Sequence, residues 1–307
     1  MRNAFAVLLL AALAFGLAVT PALAINQPPL NLGLTDILDG ALPGPGTYLT
    51  EYIQPYSANK IKKVLGGGDL DAGVANTLAM TQFVHVYKNE VLGGNLGVDL
   101  LIPVVTISAD SPLSTNPGWF GDITVGPFIQ WFDTKLFGMP YFHRLELDFS
   151  LPTGEYDKRY ALNPGSNHWV IEPYYAFTLF MTPQLSTSWR IHYTYSTEND
   201  DVQPSPLNNF STSVTPGQAI HFNYSLEYEF FKNFRGAVAG YYLKQITEDD
   251  TGNGNLSNSK EQVFAIGPAV SWAASPNFFL GLKSQWESSA ENRPEGNRTT
   301  FRMTYKF

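Results

Sequence analysis

The last eleven residues, Asn297 to Phe307, alternate in polarity without a break and stop on a phenylalanine. Phe301, Met303, Tyr305 and Phe307 fall on one side of an extended strand, and Thr300, Arg302, Thr304 and Lys306 fall on the other. A strand with one greasy face and one charged face suits the closing strand of a barrel with lipid outside and water inside. A soluble sandwich also alternates, but it must cover the greasy face with a second sheet.

The same period of two returns along the chain. In 220–230, Phe222, Tyr224, Leu226, Tyr228 and Phe230 oppose His221, Asn223, Ser225, Glu227 and Glu229. In 185–195, Trp189, Ile191 and Tyr193 oppose Ser188, Arg190 and His192, and in 141–151, Leu145, Leu147 and Phe149 oppose Arg144, Glu146 and Asp148. With less regular segments added, the pattern predicts an all-β fold, a transmembrane antiparallel β-barrel of about twelve strands. The predicted strands are 46–56, 74–89, 94–107, 118–132, 141–151, 167–181, 185–196, 217–230, 235–247, 260–273, 278–288 and 298–307.

Under this assignment short connections (90–93, 133–140, 182–184, 231–234, 274–277) alternate with long, Gly-, Pro- and Asn-rich ones (57–73, 108–117, 152–166, 197–216, 248–259, 289–297). Outer-membrane barrels have short periplasmic turns and long extracellular loops, so both ends of the barrel chain are expected on the periplasmic side. Sorted loops, and a polar face on nearly every strand, count against the sandwich.

The front of the chain fits this picture. Met1 to Ala24 reads as a signal peptide, with Arg2, an apolar run from Ala4 to Val19, and Ala22-Leu23-Ala24 as the cleavage site. Residues 25–45 then form either a loose periplasmic tail or a plug that narrows the pore, with Thr35 as a candidate helix cap. The barrel occupies 46–307. No later stretch is apolar for long enough to be a membrane helix. There are no cysteines, hence no disulfides and no residue for a lipoprotein signal to acylate. Taking Arg2 from the 19 basic residues leaves 18 against 27 acidic ones, a net of −9, which argues against nucleic acid as a partner.

Several local motifs stand in order: Asp39-Gly40, Pro43-Gly44-Pro45-Gly46, Gly121-Asp122-Ile123-Thr124-Val125-Gly126-Pro127, Leu151-Pro152-Thr153-Gly154-Glu155-Tyr156-Asp157, Asn163-Pro164-Gly165-Ser166-Asn167-His168-Trp169 and Ala265-Ile266-Gly267-Pro268. Together they resemble the proteobacterial outer-membrane family labelled as involved in the meta-pathway of phenol degradation. The resemblance implies a channel associated with uptake of aromatic or other hydrophobic compounds. It brings no catalytic residues with it. Read locally, Gly-Pro inside a strand marks a bend or bulge, and Pro-Thr-Gly begins a turn. Phe301, Met303, Tyr305 and Phe307 also resemble the terminal signal by which outer-membrane barrels engage their assembly machinery. The partners expected are therefore outer-membrane lipids and lipopolysaccharide, that machinery, and a small-molecule solute.

The inward faces supply the candidate pore-lining residues Arg144, Glu146, Asp148, Arg190, His192, Glu227, Glu229 and Arg302. Such charges either line a wet bore and select solutes, or neutralise one another and fill the interior. No cofactor or metal is expected. The Glu248-Asp249-Asp250 run fails as a calcium loop because Thr251 stands where an Asp or Asn ligand belongs and Lys260 where the bidentate Glu does. None of the five histidines has nucleophile-elbow or metal-ligand spacing, so an enzyme is not expected. A barrel without a through-path is the runner-up, and an outer-membrane lipid-modifying enzyme ranks behind it.

Overall fold

A computed structural model describes residues 30–205 and 208–307. The signal-peptide reading of Met1 to Ala24 lies outside the described residues. Twelve strands close into one antiparallel barrel. They are β1 (Gly46–Lys62), β2 (Val74–Val91), β3 (Gly94–Ala109), β4 (Thr124–Leu136), β5 (Met139–Ser150), β6 (Val170–Phe180), β7 (Leu185–Ser196), β9 (Ala219–Phe231), β10 (Phe234–Gln245), β13 (Gln262–Ser275), β14 (Phe278–Glu291) and β15 (Arg293–Lys306). Each pairs with its neighbour in sequence, and β15 returns to β1, with Tyr52 opposite Arg302, to seal the ring.

The barrel is inside out relative to a soluble sandwich. Ile53, Leu145, Leu226, Val238, Leu282 and Phe301 are exposed, whereas Gln54, Gln130, Arg144, Glu146, Glu227 and Thr300 are buried. Such a surface is stable only against hydrocarbon, and closure leaves no strand edge unpaired there. Phe301, Met303, Tyr305 and Phe307 all stand on this outer face. Trp131, His143, Tyr175 and Phe177 form a run of ring contacts on it, His143 stacking 4.7 Å from Trp131 and lying 5.7 Å from Tyr175.

The turns at the end where β1 begins and β15 stops are tight. At β4–β5 the two connecting residues Phe137 and Gly138 both have positive φ, 53° and 81°, the hairpin geometry that glycine accommodates without strain. The turn expected over 133–140 therefore shrinks to two residues. At the other end, the loop expected over 289–297 is absent: β14 and β15 are separated by Asn292 alone. β1 likewise continues to Lys62, and Ser57 pairs with Asn297 as Lys62 does with Arg293. β1, β14 and β15 extend here in polar residues, which read as loop by composition although the ladder continues. The strand expected from 118 begins at Thr124; Trp119 and Gly121 instead bond to the upper part of β3, Val105 N to Trp119 O at 2.8 Å and Gly121 N to Pro103 O at 3.0 Å.

Neither Gly-Pro pair produces a bulge. The β4–β5 register runs unbroken from Val125–Phe149 to Phe128–Glu146, and the β13–β14 register from Ile266–Trp286 to Ala269–Lys283. The register shifts lie elsewhere, one between Trp131 and Thr134.

Over the loop end lies a small sheet that the alternation did not predict. It is formed by β8 (Val214–Thr215), β11 (Asp249–Thr251) and β12 (Gly254–Leu256). Asp249 anchors it by accepting hydrogen bonds from Gly217 N at 2.8 Å and Gln245 Nε2 at 2.6 Å. Burial pushes the Asp249 carboxyl up to about 6.

Candidate functional site

Residues 30–45 cross the lumen without joining the sheet, so their backbone polar groups need partners from the wall. Gly33 N donates to Asn223 Oδ1 at 2.9 Å, Leu38 N to Glu227 Oε1 at 3.0 Å and Gly40 N to Thr178 Oγ1 at 3.0 Å. The carbonyls of Gly40 and Leu32 accept from Gln130 Nε2 at 2.9 Å and from Arg298 at 2.8 Å. Thr178 is on β6 and Arg298 on β15, six strands apart either way around the ring. The segment is therefore fastened to opposite walls.

Its charges are paired in the same manner. Arg190 grips Asp39 through two hydrogen bonds of 2.7 Å each, and Lys283 lies 3.0 Å from Asp36. A bidentate guanidinium–carboxylate pair fixes position as well as charge. The apolar residues of the segment face other walls: Leu34 packs with Tyr52 and Met80, and Leu32 with Tyr241 and Leu243. Gly40 lies so close to β6 that a Cβ there would come within 2.5 Å of the Phe177 and Thr178 backbone. Any side chain at this position would push the segment off the wall.

Two of the cavities that border this segment lie on opposite sides of the crossing. One of about 340 Å³ opens toward the tight-turn end, with Ile37, Leu42, Val84, Leu280 and Arg302 in its wall. The other, about 250 Å³, lies toward the loops, with Leu34, Met80, Leu101, Val105, Asp148 and Glu172 in its wall. Thr35, Tyr52, Gln82 and Arg190 border both.

All eight candidate lumen charges sit on the inward faces, and most are engaged. Arg144 pairs with Glu146 at 3.2 Å, and Tyr174 OH also donates to Glu146. Gly126, lacking a side chain, leaves room for the Glu146 and Asp148 carboxylates, whose oxygens would lie within 2.4 Å of any Cβ there. Glu227 accepts from Ser186 and Ser225 at 2.7 Å each in addition to Leu38 N. Glu229 pairs with Arg235 at 2.9 Å near the turn end, and Arg302 borders the cavity there. His192 meets His221, which the alternation placed on the polar face of its strand, and Glu172, which it did not single out. Asp36, Asp39, Lys283 and Arg298 were also not anticipated. Of these, only Asp39 lay in a noted motif, and its partner is 151 residues away.

Three of the motifs noted in the sequence, 121–127, 151–157 and 163–169, converge at the base of the loops. Asp122 accepts from Gly154 N at 2.8 Å and from Ser166 N at 2.8 Å, and Glu155 accepts from Phe120 N at 3.1 Å. Three motifs with only local readings in the sequence thus serve one long-range junction.

The sequence profile of the family described as "Putative MetA-pathway of phenol degradation" matches residues 55–303. The chain belongs to that family. No curated protein matches it in sequence. Among solved structures, this family member is similar to an outer membrane channel from Pseudomonas putida F1, with 16% identity and a TM-score of 0.73 over 87% of this chain and 97% of that one. It also resembles the transport unit of the autotransporter AIDA-I from Escherichia coli, with 9% identity and a TM-score of 0.50 over 93% of this chain and 94% of that one. At these identities the likeness establishes the fold, that of outer-membrane barrels.

Proposed function

We propose that the protein is an outer-membrane channel for passive uptake of small hydrophobic or aromatic compounds, with residues 30–45 as its constriction. The observation that carries this reading is the pair of part-apolar cavities on either side of one crossing segment. Their volumes, about 340 and 250 Å³, bracket the lower end of the range that encloses small molecules. Their walls combine leucine, methionine and valine with a few charged groups, a surface suited to a ring bearing a polar substituent. The crossing segment is tied by side-chain contacts rather than by a ladder, so it can shift without opening the barrel. The exposed apolar outer face supports the outer membrane as the site of action, and the outward Phe301–Phe307 alternation supports recognition by the assembly machinery.

The experiment compares full-length protein with a chain lacking Asn26 to Gly44, both in planar bilayers and in liposomes loaded for uptake. The truncated barrel is expected to conduct several times more current and to lose its preference for an aromatic acid over a sugar of equal size. Equal conductance would remove the constriction. The second reading, a barrel with no through-path, is favoured by the bidentate Arg190–Asp39 lock and predicts no solute flux through the full-length protein.

A further inference from the structure

One buried cluster takes no part in fastening the crossing segment, although its Glu172 borders the loop-side cavity. Glu172 on β6, His192 on β7 and His221 on β9 come from three adjacent strands, with His192 directly opposite His221 in the ladder. The two imidazoles stack, their centroids 4.2 Å apart at an interplanar angle of 13°. His192 Nδ1 lies 2.6 Å from Glu172 Oε1, and His221 Nε2 lies 3.2 Å from Oε2. One donor atom from each residue falls within 4.8 Å of the others, and all three side chains are buried.

We propose that Glu172, His192 and His221 bind a divalent transition-metal ion of the zinc, copper and nickel group. Two imidazoles and one carboxylate form a donor set for such ions, and three protein ligands leave one position open. With metal–ligand bonds of about 2.0 to 2.2 Å, a tetrahedral centre holds its donor atoms roughly 3.3 Å apart. The present nitrogen–oxygen separations need only side-chain adjustment to reach that.

Hydrogen bonding leaves the cluster incomplete. Both nitrogens of His192, and Nδ1 of His221, have no hydrogen-bond partner although they are buried. The short His192–Glu172 contact is thus a close approach without hydrogen-bond geometry. Buried polar atoms without partners are costly, and a cation accepting the ring lone pair of His192 Nδ1 would relieve one of them. Thr194 Oγ1 donates to Glu172 Oε2 at 2.8 Å and so orients the carboxylate, as outer-shell groups do around metal ligands.

The surroundings favour positive charge. Glu172 borders the loop-side cavity together with Asp99, Asp122 and Asp148, against Arg190 and Arg298. Arg190 is already committed to Asp39, and Arg298 to the Leu32 carbonyl and Gln54. The cavity gives water or a solute donor access to the fourth position.

The test uses untagged full-length protein in detergent, stripped with a chelator and titrated with zinc alone by calorimetry and with cobalt by visible absorption. One ion per chain is expected, with the intense bands of low-coordinate cobalt and with binding that weakens as pH falls and protons compete for the imidazoles. Glu172→Gln and the His192→Gln/His221→Gln double variant are expected to bind at least about tenfold more weakly. Absence of saturable binding to the wild-type protein would overturn the site, a result that needs no variant to fold. Wild-type affinity in the double variant would overturn it equally. Neither result bears on conductance, so the channel reading stands or falls separately.

Discussion

The lumen wall made by β6, β7 and β9 and the wall made by β2 and β3 hold the same crossing segment by opposite means. The first presents Thr178, Arg190, Asn223 and Glu227, each in a directional contact with residues 33–40. The second presents Leu78, Met80 and Leu101 to Leu34 and Tyr52, with Gln82 and Asp99 bonded to each other at 2.6 Å. Directional polar contacts work at one position and fail a short distance from it, whereas apolar contact changes gradually as surfaces slide. The polar wall sets where the segment rests. The apolar wall is the one along which a solute can move without first breaking hydrogen bonds.

The sharpest way to break this contrast is Arg190→Ala, which leaves the Asp39 carboxylate buried without its partner. Loss of about 3 to 5 kcal/mol in segment docking is expected, seen as a large rise in conductance and in protease cutting between residues 30 and 45. Joint replacement, Arg190→Met with Asp39→Leu, should restore much of the docking; failure to do so would mean that the pair is not what holds the segment. A smaller effect is expected on the other wall. Leu34→Ala removes packing against Tyr52 and Met80, weakens docking by about 2 kcal/mol and gives brief openings rather than a permanently open state in single-channel records. If Leu34→Ala opens the channel as fully as Arg190→Ala, the distinction between the walls is wrong.

The smallest effect concerns the sheet over the loop end, which lies beyond both walls. An acid whose folded pKa is raised holds its proton more tightly when folded. The contribution of Asp249 to lid stability is therefore fully present below about 3.8 and is lost as pH rises through about 6. Protease nicking within 246–261 should increase across that interval in the wild type and stay flat in Asp249→Asn. A conductance change over the same interval would place pH control in the lid rather than in the lumen.

Much of the barrel was legible because a membrane-spanning strand must alternate, and sequences such as 220–230 do so at every position. Legibility failed where the chain leaves hydrocarbon. There apolar and polar residues no longer alternate, as in 57–62 and 289–297, and polarity does not distinguish a continuing ladder from a loop. The eight inward charges were found from the same alternation, but their partners were not. Arg190 finds Asp39 across the lumen, and His192 finds His221 through a register set by a long connection and its turn chemistry. Glu172 was not singled out on its less regular strand; its two histidine neighbours lie 20 and 49 residues away. Gly126-Pro127 showed the limit of a local rule, since what the glycine provides is room for carboxylates from the neighbouring strand.

The seam of the cylinder lies between its first and last strands, and the crossing segment is the direct continuation of the first. Its attachments include strands on the far side of the circumference. Either the nascent wall must curl around its own leading segment, or that segment must slide in through a mouth of the barrel once the rim has sealed. In both cases the occupant and its container are made from one molecule, so no separate factor has to be delivered to stopper each new pore.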